Sequence, residues 1–162
     1  MRSWIRRLRA GIIMTIQRGG RQVLIQGLAL ILTGLLWGFA LPLTPYPRLA
    51  VGAHIQFVTN GLLFVVIGIL LVKLPHRIGG KAIWVMVVSP WLTWLMTLSE
   101  VANAWWGTNQ TLPIAASQAG AKGAAPWQEL VENVCHVIAA LGLVLSLLVL
   151  IIGFVRHRET AE

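Results

Sequence analysis

The sequence predicts an all-α integral membrane protein, a four-helix bundle with an N-terminal basic amphipathic helix. Three observations carry that prediction. The chain of 162 residues is 57% hydrophobic, with a mean hydropathy of +0.76. Its apolar residues fall in four blocks, 22–41, 51–74, 82–106 and 130–155, each close to the roughly 20 residues that cross a bilayer as a helix. Of the 13 basic residues, eleven precede the first block, surround the second connection or follow the last block, and only Arg48 and Lys122 lie in the other two connections. That asymmetry places both termini in the cytoplasm of a bacterial-type inner membrane. It reads the basic excess as topology and attraction to anionic lipid, with no role in binding nucleic acid.

The chain divides into an interfacial helix (1–21), a four-span domain (22–158) and a short tail (159–162). In the first segment Ile5, Leu8, Ile12 and Ile16 recur every three or four residues among arginines, the pattern of a helix lying in the membrane interface. A cleavable signal is the competing reading, but the first block is too long for a signal core and Gly38-Phe39-Ala40 is a poor cleavage site. Gly34 and Gly38 in the first span allow close helix approach. Pro42, Pro45 and Pro47 then stop that helix in a short turn, which makes spans one and two antiparallel neighbours. Span two ends at Leu74-Pro75, and His76 in the following basic turn reads as a solvated residue. Span three carries Pro90, expected to kink it, and tryptophans near both ends that fit interfacial belts. The 107–126 connection is rich in small residues around an apolar insert, 111–116, and is expected to fold back over the bundle mouth. Cys135, the only cysteine, excludes an intramolecular disulfide and reads as a packing residue.

Polar side chains inside a membrane are costly and are functional suspects. Here they gather in the outer halves of three spans. Counting about 1.5 Å per residue, His54 and Asn60 lie roughly 5 and 14 Å below the outer end of span two. Glu100 and Asn103 fall in the last turns of span three. Glu129, Glu132, Asn133 and His136 share one face at the start of span four. His54 and Asn60 are about 120° apart on their helix, with Gly61 beneath His54, which leaves room for a flat ligand. Each residue also has a plainer reading. An isolated membrane histidine such as His54 is more often a hydrogen-bonded packing residue than a metal ligand, and Asn60 also reads as interhelical glue. Glu129 is favoured at a helix N-terminus, and Glu132 with His136 makes an i, i+4 pair. Hydrolase triads, phosphate-binding glycine loops and the HExxH zinc motif are missing from the sequence.

The run Ala53-His54, five residues, Asn60-Gly61, an apolar stretch and Leu74-Pro75 resembles the hydroxylaminobenzene mutase and styrene oxide isomerase family of four-span membrane isomerases. Trp106-Gly107 followed by Leu112-Pro113-Ile114-Ala115-Ala116 is similar to the mutase branch. The resemblance covers roughly 24–152. It implies a homotrimer with haem b at the subunit interfaces, His54 as the axial iron ligand, and Asn60 near the open iron face. The epoxide isomerases also use a tyrosine and an aspartate from span three. This chain has no aspartate, and its one tyrosine is Tyr46 in the first turn, so those roles do not transfer.

The resulting expectation is an isomerase that moves the hydroxyl of an aryl hydroxylamine to the ring, giving an aminophenol. Its expected site comprises Asn60, Glu100 and Glu132 as catalytic groups, His54 (the metal ligand) and Gly61 at the haem, and Trp91, Trp94 and Thr97 along the substrate. The alternatives are a small b-type cytochrome with His54 and His136 as haem ligands, an aryl epoxide isomerase, and a non-catalytic scaffold.

Overall fold

A computed structural model describes the backbone of residues 2–158 and the side chains of residues 16–157. The expected amphipathic pattern of Ile5, Leu8 and Ile12 and the 159–162 tail lie outside the described side chains. Five α-helices follow in order: α1 (Arg2–Gly38), α2 (Pro47–Lys73), α3 (Gly80–Trp106), α4 (Pro113–Ala119) and α5 (Pro126–Arg158). A 3-10 turn, Leu41–Leu43, joins α1 to α2. Among the described residues, four stretches are long and apolar enough to cross a membrane: Ile16–Gly38, Pro47–Lys73, Gly80–Trp106 and Pro126–His157. Helices satisfy their own backbone groups, which a bilayer demands. α1 runs without a break across residue 22, so the first segment and the first span form one rod.

Glycines decide how α1 meets α2. A side chain at Gly27 would strike the carbonyl of Gly61 and the amide of Val65, both 2.7 Å from the added carbon. Gly61 faces Ile31 and Gly27 in return, and Gly68 faces Leu24. Gly34 lies on Phe57 and Val58, while Gly20 lies on Leu71 and Val72. The partners descend along α2 as α1 ascends, so the two helices are antiparallel. Gly20, Gly27 and Gly34 recur every seven residues on α1, and His54, Gly61 and Gly68 do the same on α2. This heptad seam permits backbone-to-backbone contact, the main source of helix association where lipid is as apolar as the side chains. Trp37 Nε1 donates to the Ala50 carbonyl (2.9 Å) and Trp94 Nε1 to Gln26 Oε1 (2.8 Å). Such interhelical bonds contribute only about 0.6 kcal/mol each on average, so close packing contributes more to holding the pair together.

α3 is the central helix. It packs on α1 and α2 with one side and on α5 with the other, whereas α5 has little contact with α2. The apolar core (Phe57, Phe64, Ile67, Ile83 and Met86 among its members) fills the contact of α1, α2 and α3. A gap is left between α2 and α5.

Both ends of the bundle are tied. At the end holding the α1–α2 turn, the Tyr46 amide donates to the Ala104 carbonyl (3.1 Å). Its ring lies where a side chain on Gly107 would be. Gly107 ends α3 with φ +70°, a left-handed conformation that glycine adopts without cost. At the other end His76 is half-buried. Its Nε2 donates to the Leu71 carbonyl (3.0 Å), its Nδ1 accepts from the Ile78 amide (3.3 Å), and its ring packs edge-on against Phe154. His76 therefore locks the second turn, in contrast to the solvated role its basic neighbours imply. The 107–126 connection does fold back over the bundle, and contains the short helix α4. Ala116 is buried there, and Arg48 of α2 donates to Gln118 (2.8 Å).

Gly27→Leu is expected to destabilise the chain in detergent by roughly 2 kcal/mol or more, because backbone atoms cannot yield as side chains do. Gly80→Ala, where no atom lies within 4 Å, should leave thermal unfolding unchanged. Equal unfolding temperatures for the two variants would contradict the seam.

Candidate functional site

The gap between α2 and α5 holds a cavity of about 390 Å³. Gln56 and Asn60 of α2 form one wall, and His136 of α5 stands on the other. Thr93 and Met96 of α3 make the back, and Ala139, Ala140 and Leu143 close the apolar end. Helical geometry explains the set. Gln56 and Asn60 are four residues apart on one face of α2, and His136, Ala140 and Leu143 repeat at helical spacing on α5.

Asn60 is held by its own helix. Its Nδ2 donates to the Gln56 backbone carbonyl (2.9 Å) and to Gln56 Oε1 (2.8 Å). With these amide orientations, Asn60 Oδ1 remains as an acceptor and Gln56 Nε2 as a donor on the cavity wall.

Opposite them is a buried cluster. His136 Nε2 lies 2.8 Å from Glu100 Oε1, and His136 Nδ1 lies 2.8 Å from the Glu132 backbone carbonyl and 3.6 Å from Glu132 Oε1. Glu100 is 1% exposed and Glu132 0%. Glu132 Oε1 and Oε2 and Glu100 Oε2 have no hydrogen-bond partner. Ser99 stands beside Glu132, but its hydroxyl donates to the Met96 carbonyl at 2.8 Å. Glu100 also reaches α2, where a side chain on Gly52 would approach its Oε2 to 3.1 Å. The sequence expectation joins Glu100 and Glu132 at one site, and the structure brings them together around His136.

Glu129 has a different task. Its carboxylate accepts from the amides of Asn109 (3.0 and 3.3 Å), Gln110 (3.1 Å) and Ala124 (3.0 Å). It thereby clamps the two ends of the 107–125 connection to the first turn of α5. Asn103 Oδ1 assists by accepting from the amide (2.7 Å) and hydroxyl (2.8 Å) of Thr108. Asn133, expected on the same face, is exposed, because it lies at the edge of an arc centred between Glu132 and Glu129.

His54 belongs to the seam, away from the cavity lining. Its Nδ1 donates to the Gly34 carbonyl (2.7 Å), and its ring is 3.4 Å from where a side chain on Gly38 would begin. A carbonyl only accepts, so the proton is on Nδ1 and Nε2 keeps its lone pair. That is the orientation of a metal-ligating histidine with a backbone partner. The donor chemistry fits an axial haem ligand, and the neighbouring Leu35, Phe39 and Ile55 are exposed and apolar. Gly61, by contrast, is filled over by α1 and leaves no space for a flat group. Trp91 is 51% exposed on the outside of α3, Trp94 is turned to Gln26 and Phe57, and Thr97 is buried with its hydroxyl on the Thr93 and Trp94 carbonyls. None of the three lines the cavity, which takes Thr93 and Met96 from α3 in their place. The spacing of Gln56 and Asn60, one turn apart, is the signal that marks Gln56.

A membrane-type helical bundle with a half-open, mostly apolar cavity that carries a few polar side chains defines a class, the small multi-pass membrane proteins. Known proteins narrow that class. Residues 20–155 match the family model described as styrene oxide isomerase, and the chain belongs to that family. It is 34% identical over 131 residues to hydroxylaminobenzene mutase HabB of Ectopseudomonas oleovorans, covering 80% of this chain and 74% of that protein. It is 32% identical over 94 residues to hydroxylaminobenzene mutase HabA of the same organism, covering 57% and 68%. No solved structure matches. The chain is thus a membrane isomerase, nearer the mutase branch of its family.

Glu129→Ala should free the 107–125 connection, since three backbone amides lose a charged acceptor at about 1–3 kcal/mol for each that stays buried. Limited proteolysis should then cut between 109 and 124 at least tenfold faster than in the wild type. An unchanged cutting rate would contradict the clamp.

Proposed function

We propose that this isomerase converts an aryl hydroxylamine to an aminophenol within the membrane. The observation that carries the reading is the cavity between Gln56–Asn60 and His136, with Glu100 behind that ring, in a chain whose relatives are named hydroxylaminobenzene mutases. In the reaction the N–O bond breaks and a C–O bond forms on the ring. The ring carbon loses a proton and the nitrogen gains one, so atoms and oxidation level are conserved overall. The volume suits a one-ring substrate. Asn60 Oδ1 accepts from the hydroxylamine N–H or O–H, Gln56 Nε2 donates to its oxygen, and the apolar end receives the ring. The Glu100–Glu132–His136 cluster handles the two proton transfers.

The same reading assigns a haem b to His54. Held by His54, a ferric haem would supply a Lewis acid for the hydroxylamine oxygen. His54 faces the seam while Asn60 faces the cavity, so the two would act together only across a contact between copies, as in a homotrimer. Trp91, 51% exposed on the outer face of α3, would join the substrate site only through a neighbouring copy. The basic distribution supports an inner-membrane setting with both termini cytoplasmic.

The cytochrome reading has less support. His136 is engaged by Glu100 and the Glu132 carbonyl, and His54 by Gly34; the two rings belong to different packings. The missing aspartate weighs against an aryl epoxide substrate.

Purified protein incubated with hydroxylaminobenzene should yield aminophenol, and Asn60→Leu should lower kcat/KM by about 10²-fold through lost positioning. His54→Ala should lose both the Soret band and turnover. Retention of both by that variant would defeat the haem assignment, and no aminophenol from the wild type would defeat the activity.

A further inference from the structure

The buried cluster opposite Asn60 has more unpartnered carboxyl oxygens than a proton relay needs. Glu100 and Glu132 are both nine-tenths or more buried, and the ion pairs they make are with His136. Ionised, the two carboxyls would carry more charge than one imidazolium balances. Three of their four oxygens have no hydrogen-bond partner at all, and an unpaired charge in an apolar interior is strongly disfavoured.

We propose that Glu100, Glu132 and His136 bind one divalent transition-metal ion. One donor atom from each lies within 4.8 Å of the other two. The 2.8 Å between His136 Nε2 and Glu100 Oε1 would open to about 3.4 Å for two ligands each about 2.1 Å from a shared tetrahedral ion. The Glu132 carboxylate, without a hydrogen-bond partner and 3.6 Å from the His136 ring, completes the set. His136 Nδ1 donates to the Glu132 backbone carbonyl and Nε2 points at Glu100 Oε1, so displacement of the Nε2 proton by an ion would leave a lone pair aimed at the carboxylate side. A divalent ion with two carboxylates and a neutral imidazole carries no net charge, the state that burial favours.

The donor set chooses the ion class. An imidazole with two carboxylates suits zinc, manganese or ferrous iron and is a poor match for calcium or magnesium, which take oxygen ligands. Three protein ligands leave a position open, and His136 lines the cavity, so the open position faces the space opposite Asn60 and Gln56. A water held there would be acidified by the ion and would carry the protons assigned above to the cluster as a whole. The ion site itself does not rest on the proposed activity.

The test is metal binding by the full-length protein in detergent, stripped with a chelator and repleted. Mn²⁺ titration followed by the loss of the free-ion EPR signal, and Zn²⁺ content by mass spectrometry after desalting, should each give one equivalent per chain. Glu132→Gln and His136→Gln should bind at least tenfold more weakly while eluting at the wild-type position on size exclusion. His54→Ala should keep the full equivalent, with haem iron counted separately by pyridine haemochrome. Less than 0.1 equivalent of either ion in the wild type overturns the site and leaves a shared proton in its place. Wild-type affinity in Glu132→Gln overturns it too. Metal binding without aminophenol formation would defeat the activity and leave the ion site standing.

Discussion

The close approach of α1 to α2 fixes everything downstream. Glycine meets glycine at Gly27 and Gly61, and no other residue pair allows two helices to touch along their backbones there. That contact sets the rotation of α2. It turns His54, one heptad above Gly61, onto Gly34 and Gly38, and it turns Asn60 about a third of a turn and Gln56 nearly half a turn away, into the gap beside α5. A bulkier seam would rotate or displace α2 and carry both polar groups out of position. The site is therefore a consequence of helix packing before it is a matter of polar chemistry.

The second constraint is the cost of carboxylates in an apolar bundle. All three glutamates among the described residues are buried, and they meet that cost in two ways. Glu129 is satisfied by three backbone amides and becomes structural. Glu100 and Glu132 are only partly satisfied, around one imidazole, at the edge of a cavity. Partly satisfied buried groups are the ones that bind, transfer protons or take up a cation. The difference between Glu129 and Glu132 is local: the first faces a loop with free amides, and the second faces other helices whose amides are already used.

Much of this is legible in the residue order. The four spans, the antiparallel first pair, the folded-back connection and the gathering of Glu100, Glu132 and His136 at one end all follow from block lengths, proline positions and the 3.6-residue period. Less visible is which side of a helix faces which neighbour. Gly61 reads as space beneath a histidine, but that space belongs to α1. Trp94 reads as a substrate wall, and its indole is instead bonded to Gln26. His76 reads as solvated because its neighbours are basic, while its ring is tied to Leu71 and Phe154. In a bundle with apolar surface all round, hydrophobicity does not mark the inner face. Only the heptad glycines do, and they show where the backbones meet.

An enzyme that moves a hydroxyl within one molecule, inside the cavity of Asn60 and His136, must keep the substrate's own oxygen. The most direct measurement is conversion of hydroxylaminobenzene by the purified protein in ¹⁸O-labelled water, with mass analysis of the aminophenol. The expected product retains the original oxygen, with no label above the non-enzymatic background. Full incorporation of solvent oxygen would contradict intramolecular transfer.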